Sequence, residues 1–274
     1  MDFIDYNITT SNDAYDFVLK VLRMTGEQLV MEYFVECNKD LDLFWERNFE
    51  RLIDFNINNI RFFAFHITSN FDNCRELLQD GIRNLQYVLS HNTEMTKMLD
   101  ERGVHFDIIR RVLIVNGIEY NIDYDYYAHN RARTFYDKRL ESIAHRVYYD
   151  FCVDGFMAND NIRDYGVDLC KRPEFIYTLA QFVPKVKELE TYWTAMSKAY
   201  KVEFYATYDQ INNIIFNVDR YCCENIEEQF VKVKKWMLIN AVDKAFDPVG
   251  EIYLYIKDDM FIPATQILCC EEVE

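Results

Sequence analysis

The dipeptide Asn116-Gly117 constrains the fold more than any other feature of this sequence. It separates two short runs that are rich in β-branched and aliphatic residues, 112–115 and 118–122. Asn-Gly fits a two-residue type I′ turn, because both central residues of that turn need positive φ, and the turn matches the twist of paired strands. We therefore predict an antiparallel β-hairpin over residues 112–122.

The rest of the chain mixes helical and strand-like patterns. The first sixty residues are predicted to be helical, with a capping cluster at residues 9–13, a helix end at Gly26 and a break near residues 38–40. Further helices are predicted at 70–80 with a stop at Gly81, at 128–149, after Pro173, along the stripe Val186, Leu189, Trp193, Met196 and Tyr200, and at 226–237. Strands are predicted at 61–68, 165–169, 202–206, 251–256 and from 267. This order indicates an α+β fold whose sheet is assembled from strands far apart in sequence.

The charge balance limits the classes of partner. The chain of 274 residues has 46 acidic and 30 basic side chains, a formal charge of −16. Nucleic-acid-binding proteins usually present a basic face, so the total charge argues against a broad contact with nucleic acid. Residues 102–146 nevertheless carry eight basic and six acidic side chains, a local charge of +2. The sequence therefore does not exclude a local contact with nucleic acid over these residues.

The sequence also indicates the compartment. No apolar run approaches the roughly 20 residues that span a bilayer, and the first residues lack the pattern of a signal peptide. We expect a cytoplasmic protein that does not contact membranes. Its eight cysteines never form a Cys-x-x-Cys pair, so we interpret them as small buried hydrophobic residues in a reducing compartment.

Several common sites are absent from the sequence. There is no glycine-rich phosphate loop, no Gly-x-Gly-x-x-Gly, no Gly-x-Ser-x-Gly and no His-Glu-x-x-His. The five histidines include no pair at one-turn helical spacing, so we predict no metal site.

Two segments near opposite ends of the chain resemble a known family. The first contains Phe65-His66-Ile67-Thr68-Ser69, then Asn73, then the run from Leu77 to Gly81-Ile82. The second contains Glu251-Ile252-Tyr253-Leu254 and, after a short turn, Ile262-Pro263 with Ile267. Together they resemble the ADP-ribosyltransferase fold family, in particular members that open with a His-x-Thr strand, such as bacterial toxins that modify DNA.

The resemblance implies an architecture. It implies a mixed, split β-sheet with flanking helices, preceded by an N-terminal helical extension over residues 1–60. The catalytic domain would cover residues 61–274, with an insertion at about 83–164 that contains the predicted hairpin and a helix.

The resemblance also implies a site. NAD would be the substrate and no metal would be used. Glu251 would be the catalytic carboxylate, while His66, with Thr68, would hold the adenosine ribose and the carboxamide side of NAD. Tyr165 is the candidate for stacking on nicotinamide, with Tyr149 or another tyrosine as alternatives. We expect His66 and Glu251 to lie on neighbouring strands and to face one cleft.

The implied function is mono-ADP-ribosyl transfer from NAD to a macromolecule, either nucleic acid or protein. A toxin or phage-defence effector is the implied biological role, and a neutralising partner protein would accompany it. Alternatives stay open. The fold could serve an inactive binding, antitoxin or inhibitor module, or the enzyme could be an NAD glycohydrolase or a 2′-phosphotransferase. Without the resemblance, His66 would be interpreted as a core histidine and Glu251 as a solvated strand-end residue.

Overall fold

The computed structural model of the chain describes residues 3–53, 55–130, 134–160, 170–217 and 225–273. The chain divides into two compact units, each built from separate stretches of sequence. The first unit contains residues 1–65, 154–162 and 203–256, and the second contains residues 66–153, 163–202 and 257–274. The predicted domain boundary between residues 60 and 61 and the predicted insertion at about 83–164 stay predictions.

Helices and strands are intermixed along the chain. The described α-helices are α1 (Ser11–Leu22), α2 (Gly26–Val30), α3 (Leu41–Leu52), α4 (Arg75–Asp80), α5 (Leu85–Ser90), α6 (Glu94–Asp100), α7 (Tyr124–His129), α8 (Phe135–Tyr148), α9 (Glu174–Ala180), α10 (Pro184–Met196) and α11 (Ile226–Phe246). The described strands are β1 (Ile4–Tyr6), β2 (Ile60–Asn70), β3 (Val104–Asp107), β4 (Val112–Val115), β5 (Ile118–Asn121), β6 (Asp154–Ala158), β7 (Lys198–Thr207), β8 (Ile252–Tyr255) and β9 (Ile267–Val273). The α+β class is confirmed.

Capping residues set the limits of the N-terminal helices. The side chain of Thr10 accepts a hydrogen bond from the backbone N–H of Asp13 and so begins α1. The predicted helix end at Gly26 is wrong, because α1 ends at Arg23, whose φ is +52°, and Gly26 is the first residue of α2. The predicted break near residues 38–40 is confirmed, since Asn38 and Lys39 both have positive φ.

The first unit contains a sheet with strands from distant parts of the chain. Its order is β8-β6-β2-β7, with β1 paired in parallel to β2. Phe65 of β2 lies opposite Phe156 of β6, and Phe156 lies opposite Tyr253 of β8, both in antiparallel pairs. One row across three strands therefore joins residues that are far apart in the sequence.

Aromatic packing and one buried lysine attach the helices of the first unit. The Tyr6 ring packs edge-on against Phe17 of α1 and Phe62 of β2, and its hydroxyl donates to the carbonyl of Met237 in α11. Lys234 of α11 is buried, and its ammonium group donates to the carbonyls of Leu52 and Ile53 at 2.9 and 2.8 Å. These bonds satisfy carbonyl groups at the C-terminal end of α3, which lack partners within their own helix.

The second unit contains the predicted hairpin. Strands β4 and β5 pair antiparallel with Val115 opposite Ile118, and Asn116 and Gly117 have φ of +50° and +81°. The hairpin prediction is confirmed. A third strand, β3, pairs with β4 and was not predicted. Helices α5 to α10 supply most of the core behind these strands.

Two further helix predictions need correction. The predicted stripe from Val186 to Tyr200 does not belong to one helix, because α10 ends at Met196 and Tyr200 lies in β7. Pairing with neighbouring strands outweighs the local helical spacing there.

The predicted helix from residue 70 begins only at Arg75, since Asn73 and Cys74 have φ of +56° and +60°. The predicted strand at 165–169 lies outside the described residues.

A close backbone contact joins two segments of the second unit that are 180 residues apart in the sequence. Ile82 and Ile262 exchange backbone hydrogen bonds of 2.8 and 3.1 Å. The preceding Gly81 has φ +83° and ψ 179°, a conformation that side chains other than glycine's rarely allow. A Cβ atom on Gly81 would lie 2.2 Å from the Ile262 carbonyl oxygen. Glycine is therefore required here by both conformation and space.

We predict that Gly81→Ala lowers the free energy of unfolding by about 3 kcal/mol or more, since strain and a backbone clash combine. The matched control is Gly117→Ala, which also has positive φ but has open space around the added methyl group. That control should lose only about 1–2 kcal/mol. Urea unfolding followed by circular dichroism measures both, and equal losses would contradict the prediction.

Candidate active site

Glu251 stands immediately before β8 in the first unit, and its side chain is exposed. The hydroxyl of Tyr253 donates a hydrogen bond to Glu251 Oε2 at 2.5 Å. Along β8, Leu254 and the following Ile256 are fully buried, whereas Tyr253 and Tyr255 are half-buried. Because side chains alternate along a strand, the two tyrosines share the face opposite to Leu254 and Ile256. The carboxylate of Glu251 is thus held beside that face.

An aromatic row continues this face across the sheet. The rings of Phe65 and Phe156 are 5.5 Å apart, and those of Phe156 and Tyr253 are 5.1 Å apart. The rings of Tyr253 and Tyr255 are nearly parallel, with centroids 5.8 Å apart and an angle of 9°. The row runs from buried Phe65 to half-buried Tyr255. Its half-buried end, formed by Tyr253 and Tyr255, offers an aromatic surface next to the exposed carboxylate of Glu251.

Gly155 and a register shift in β6 determine where Phe156, the middle residue of this row, lies. Gly155 has no room for a side chain, because a Cβ atom there would lie 2.9 Å from the Phe204 ring and 3.0 Å from the Phe65 carbonyl oxygen. The small residue lets β6 lie close to the backbone of β2 and leaves room for the Phe204 ring of β7. A register shift between Phe156 and Ala158 then ends the regular pairing of β6 with β8. Such irregularities reorient side chains at the ends of strands.

His66 and Thr68 lie on β2, in the part of the strand that belongs to the second unit. Both are half-buried and, being two residues apart, share one face of the strand. Ile67 and Ser69, on the opposite face, are buried, and the Ser69 hydroxyl accepts a hydrogen bond from Trp193 Nε1 at 3.0 Å. His66 follows Phe65 directly, so regular alternation gives it the face opposite to that of Phe65.

The expectation that His66 and Glu251 lie on neighbouring strands is wrong. Strand β6 lies between β2 and β8 in the sheet of the first unit. The two residues also belong to different compact units. The contact that the structure gives Glu251 is the hydrogen bond from Tyr253.

Tyr165, the candidate for stacking on nicotinamide, lies outside the described residues. The alternative Tyr149 is exposed in the second unit, where its ring contacts Tyr124 and His145. Tyr253 was missed, although its position two residues after Glu251 in a strand-like run is a spacing that indicates a shared face.

The cysteine predictions are confirmed in part. Cys37 and Cys74 are buried free thiols, whereas Cys152, Cys170, Cys269 and Cys270 are half-buried free thiols. Cys222 and Cys223 lie outside the described residues. Cys74 follows Asn73, and its thiol is hydrogen-bonded to that of Cys270. Burial is the main reason why the pKa of Cys270 is raised to about 12, with Cys74 as a further cause.

We predict that iodoacetamide alkylates Cys270 very slowly in the folded protein. A thiol pKa raised to about 12 leaves roughly a thousandfold less thiolate at pH 8.5 than an ordinary cysteine has, and only the thiolate reacts. Peptide mass spectrometry after timed alkylation measures the rate, with half-buried Cys170 as the internal comparison. Alkylation of Cys270 as fast as that of Cys170 would contradict the prediction, whereas both should react equally in urea.

Within the described ranges, no group of three or more His, Cys, Asp or Glu side chains is arranged to hold a metal ion. None of the helices described by the structure combines the length and apolar character needed to cross a bilayer. Comparisons of the chain with protein-family profiles, curated proteins and solved structures find no match.

Proposed function

We propose that this protein is an NAD-dependent mono-ADP-ribosyltransferase. It cleaves the bond between nicotinamide and ribose and transfers ADP-ribose to a macromolecular acceptor. The observation that carries the proposal is the exposed carboxylate of Glu251, which Tyr253 holds beside the half-buried aromatic face formed by Tyr253 and Tyr255.

This arrangement suits the chemistry of the bond. As the glycosidic bond breaks, positive charge develops on the ribose ring, and nicotinamide leaves with the bonding electron pair. A fixed carboxylate stabilises that charge more in the transition state than in the substrate. The nucleophilic atom of the acceptor then forms the new bond to the ribose C1′ and loses its proton. An aromatic face beside the carboxylate can stack on the planar nicotinamide ring.

A second observation supports the proposal from the other unit. The two segments that carry the family resemblance, 61–82 and 247–270, are about 180 residues apart in sequence. Their members Gly81-Ile82 and Ile262 are nevertheless in direct backbone contact. A sequence resemblance that arose by chance would not require its two halves to meet in the fold.

By resemblance alone, His66 and Thr68 would hold the adenosine ribose and the carboxamide side of NAD. They lie on the face of β2 opposite to Phe65, so the aromatic face beside Glu251 supports the proposal without them. Tyr165 stays a candidate for stacking on nicotinamide, and Tyr253 is an alternative. The proposal needs no metal ion.

The acceptor is a nucleic acid or a protein. The formal charge of −16 favours a protein, whereas the local charge of +2 over residues 102–146 would suit nucleic acid. By resemblance, the protein acts as a toxin or phage-defence effector, and a partner protein neutralises it.

We predict that Glu251→Gln reduces nicotinamide release from NAD by about a hundredfold or more, because the amide lacks the negative charge that stabilises the ribosyl cation. The assay incubates the purified protein with NAD labelled in its ADP-ribose part and with a cell extract. Protein and nucleic-acid fractions are then counted separately. The matched control is Glu50→Gln, an equal change at an exposed position of α3, and His66→Ala is measured beside it.

The outcomes of this assay distinguish a transferase, a glycohydrolase and an inactive module. Label in one fraction that is lost in Glu251→Gln but kept in Glu50→Gln supports the proposal and identifies the acceptor class. Nicotinamide release without transferred label would indicate an NAD glycohydrolase. The absence of both signals in the unmodified protein would contradict an enzyme and favour an inactive binding, antitoxin or inhibitor module.

We predict that Tyr253→Phe lowers kcat for nicotinamide release by about tenfold and changes KM little, because it removes the hydrogen bond that positions Glu251. The matched control Tyr255→Phe keeps the stacked pair of rings and the bond to Glu251, so its kcat should stay within about twofold. A large rise in KM with unchanged kcat would show that Tyr253 binds NAD and does not position the carboxylate.

A further inference from the structure

A cavity of about 520 Å³ opens in the second unit between the end of α5, helix α6 and strand β3. Its floor contains Leu89, Leu99 and Val104, which are at most 4% exposed. Polar side chains, among them His91 and Asp100, stand around it. An apolar floor with a few polar groups and a volume of several hundred Å³ is typical of a ligand site.

The histidines at this cavity are hydrogen-bonded to neighbouring groups. His105 Nδ1 is 2.7 Å from Asp100 Oδ1, and His91 Nδ1 is 3.0 Å from the Tyr87 carbonyl oxygen. A carboxylate can only accept, so His105 Nδ1 carries a proton and donates it to Asp100, whereas His91 Nδ1 also lies 3.1 Å from the Ser90 hydroxyl, which can donate or accept. Two carboxylates line the cavity, those of Asp100 and Asp107. His105 binds Oδ1 of Asp100, and the backbone N–H of Arg110 donates to Oδ1 of Asp107 at 2.9 Å.

The lysine and arginine side chains near the cavity form bonds with other groups of the protein. None of the described residues that line the cavity is a lysine or arginine. Arg110 forms a two-bond pair with Glu119, although it also lies 3.7 Å from Asp107, and Lys97 pairs with Glu94. Arg102 Nη1 donates to the Met98 carbonyl at 2.9 Å. The cavity thus favours a ligand that is positively charged and donates hydrogen bonds.

A column of stacked groups ends at this cavity. The guanidinium of Arg83 lies over the Tyr87 ring with its carbon 4.7 Å from the centroid, and the rings of Tyr87 and His91 are stacked at 3.8 Å and 15°. His91 is exposed and lines the cavity. A further planar group in the cavity would extend the column on the exposed side of His91.

We infer that this cavity binds the arginine side chain of a partner protein. A guanidinium is planar, donates through five N–H groups, accepts none, and pairs with carboxylates. Its alkyl chain suits the floor formed by Leu89 and Leu99. The formal charge of −16 also favours a basic partner. The phosphates of a nucleic acid, by contrast, would meet Asp100 and Asp107. This inference does not depend on the proposed NAD chemistry.

The test uses the full chain and three N-acetylated, C-amidated tripeptides, Ala-X-Ala, with arginine, lysine or citrulline at X. Citrulline keeps the shape of arginine and removes its charge. Titrations followed by amide NMR shifts should show saturable changes over residues 89–109 with the arginine peptide. The citrulline peptide should bind at least about tenfold more weakly, since its charge-assisted bonds are lost. The lysine peptide should fall between them, because it cannot form a planar two-bond pair.

Variants make the test specific. Asp100→Asn should weaken binding of the arginine peptide by about tenfold or more, because it removes the charge that the guanidinium would meet. The matched control is Glu101→Gln, an equal change at the next residue, whose side chain is 74% exposed and does not line the cavity. His91→Ala should weaken binding severalfold through loss of the stacking face. Circular dichroism checks that each variant is folded.

Four results would overturn the inference. These are equal binding of the arginine and citrulline peptides, equal losses in Asp100→Asn and Glu101→Gln, and the absence of saturable shifts over residues 89–109. The fourth is saturable binding of a short single-stranded oligonucleotide in the same place, since this would assign the cavity to nucleic acid.

Discussion

The backbone contact between Gly81-Ile82 and Ile262 is the constraint on which the second unit depends. It pairs the segment that follows α4 with the segment that precedes β9, about 180 residues later. The contact is possible only because Gly81 has no side chain and has φ +83°. Closing so long a loop costs chain entropy, which local hydrogen bonds alone do not repay. The buried residues of the surrounding core must supply the remainder.

In the first unit, a row of aromatic side chains joins segments that are far apart in the sequence. Phe65, Phe156 and Tyr253 come from three strands and meet in antiparallel register. The buried end of this row is part of the core, and its half-buried end lies beside Glu251. A rigid aromatic support of this kind positions a neighbouring side chain more accurately than a loop can. The same packing thus serves both the stability of the sheet and the orientation of the carboxylate.

Local patterns predicted some elements well and others poorly, for identifiable reasons. The Asn116-Gly117 hairpin followed from a turn that needs positive φ at both positions, and no distant residue could change that need. The Val186–Tyr200 stripe failed because strand pairing redirected the chain after Met196. In β2, adjacent Ala64 and Phe65 are both buried, so the more buried face of the strand changes from one side to the other at this point. A run that is apolar on both faces conceals such a shift.

The sequence alone determined the α+β class, the hairpin and a helix end at Gly81, because these depend on backbone conformation and on short-range spacing, which the residue types carry with them. Glu251 and His66 became candidates only through the resemblance of their segments to a known family. Only the tertiary structure decided that β6 separates β2 from β8, that Tyr253 holds Glu251, and that His91 and Asp100 line one cavity. Those facts depend on which distant segments pack together. Strand order and cavities arise from the summed burial of the whole core, which no single stretch of sequence encodes.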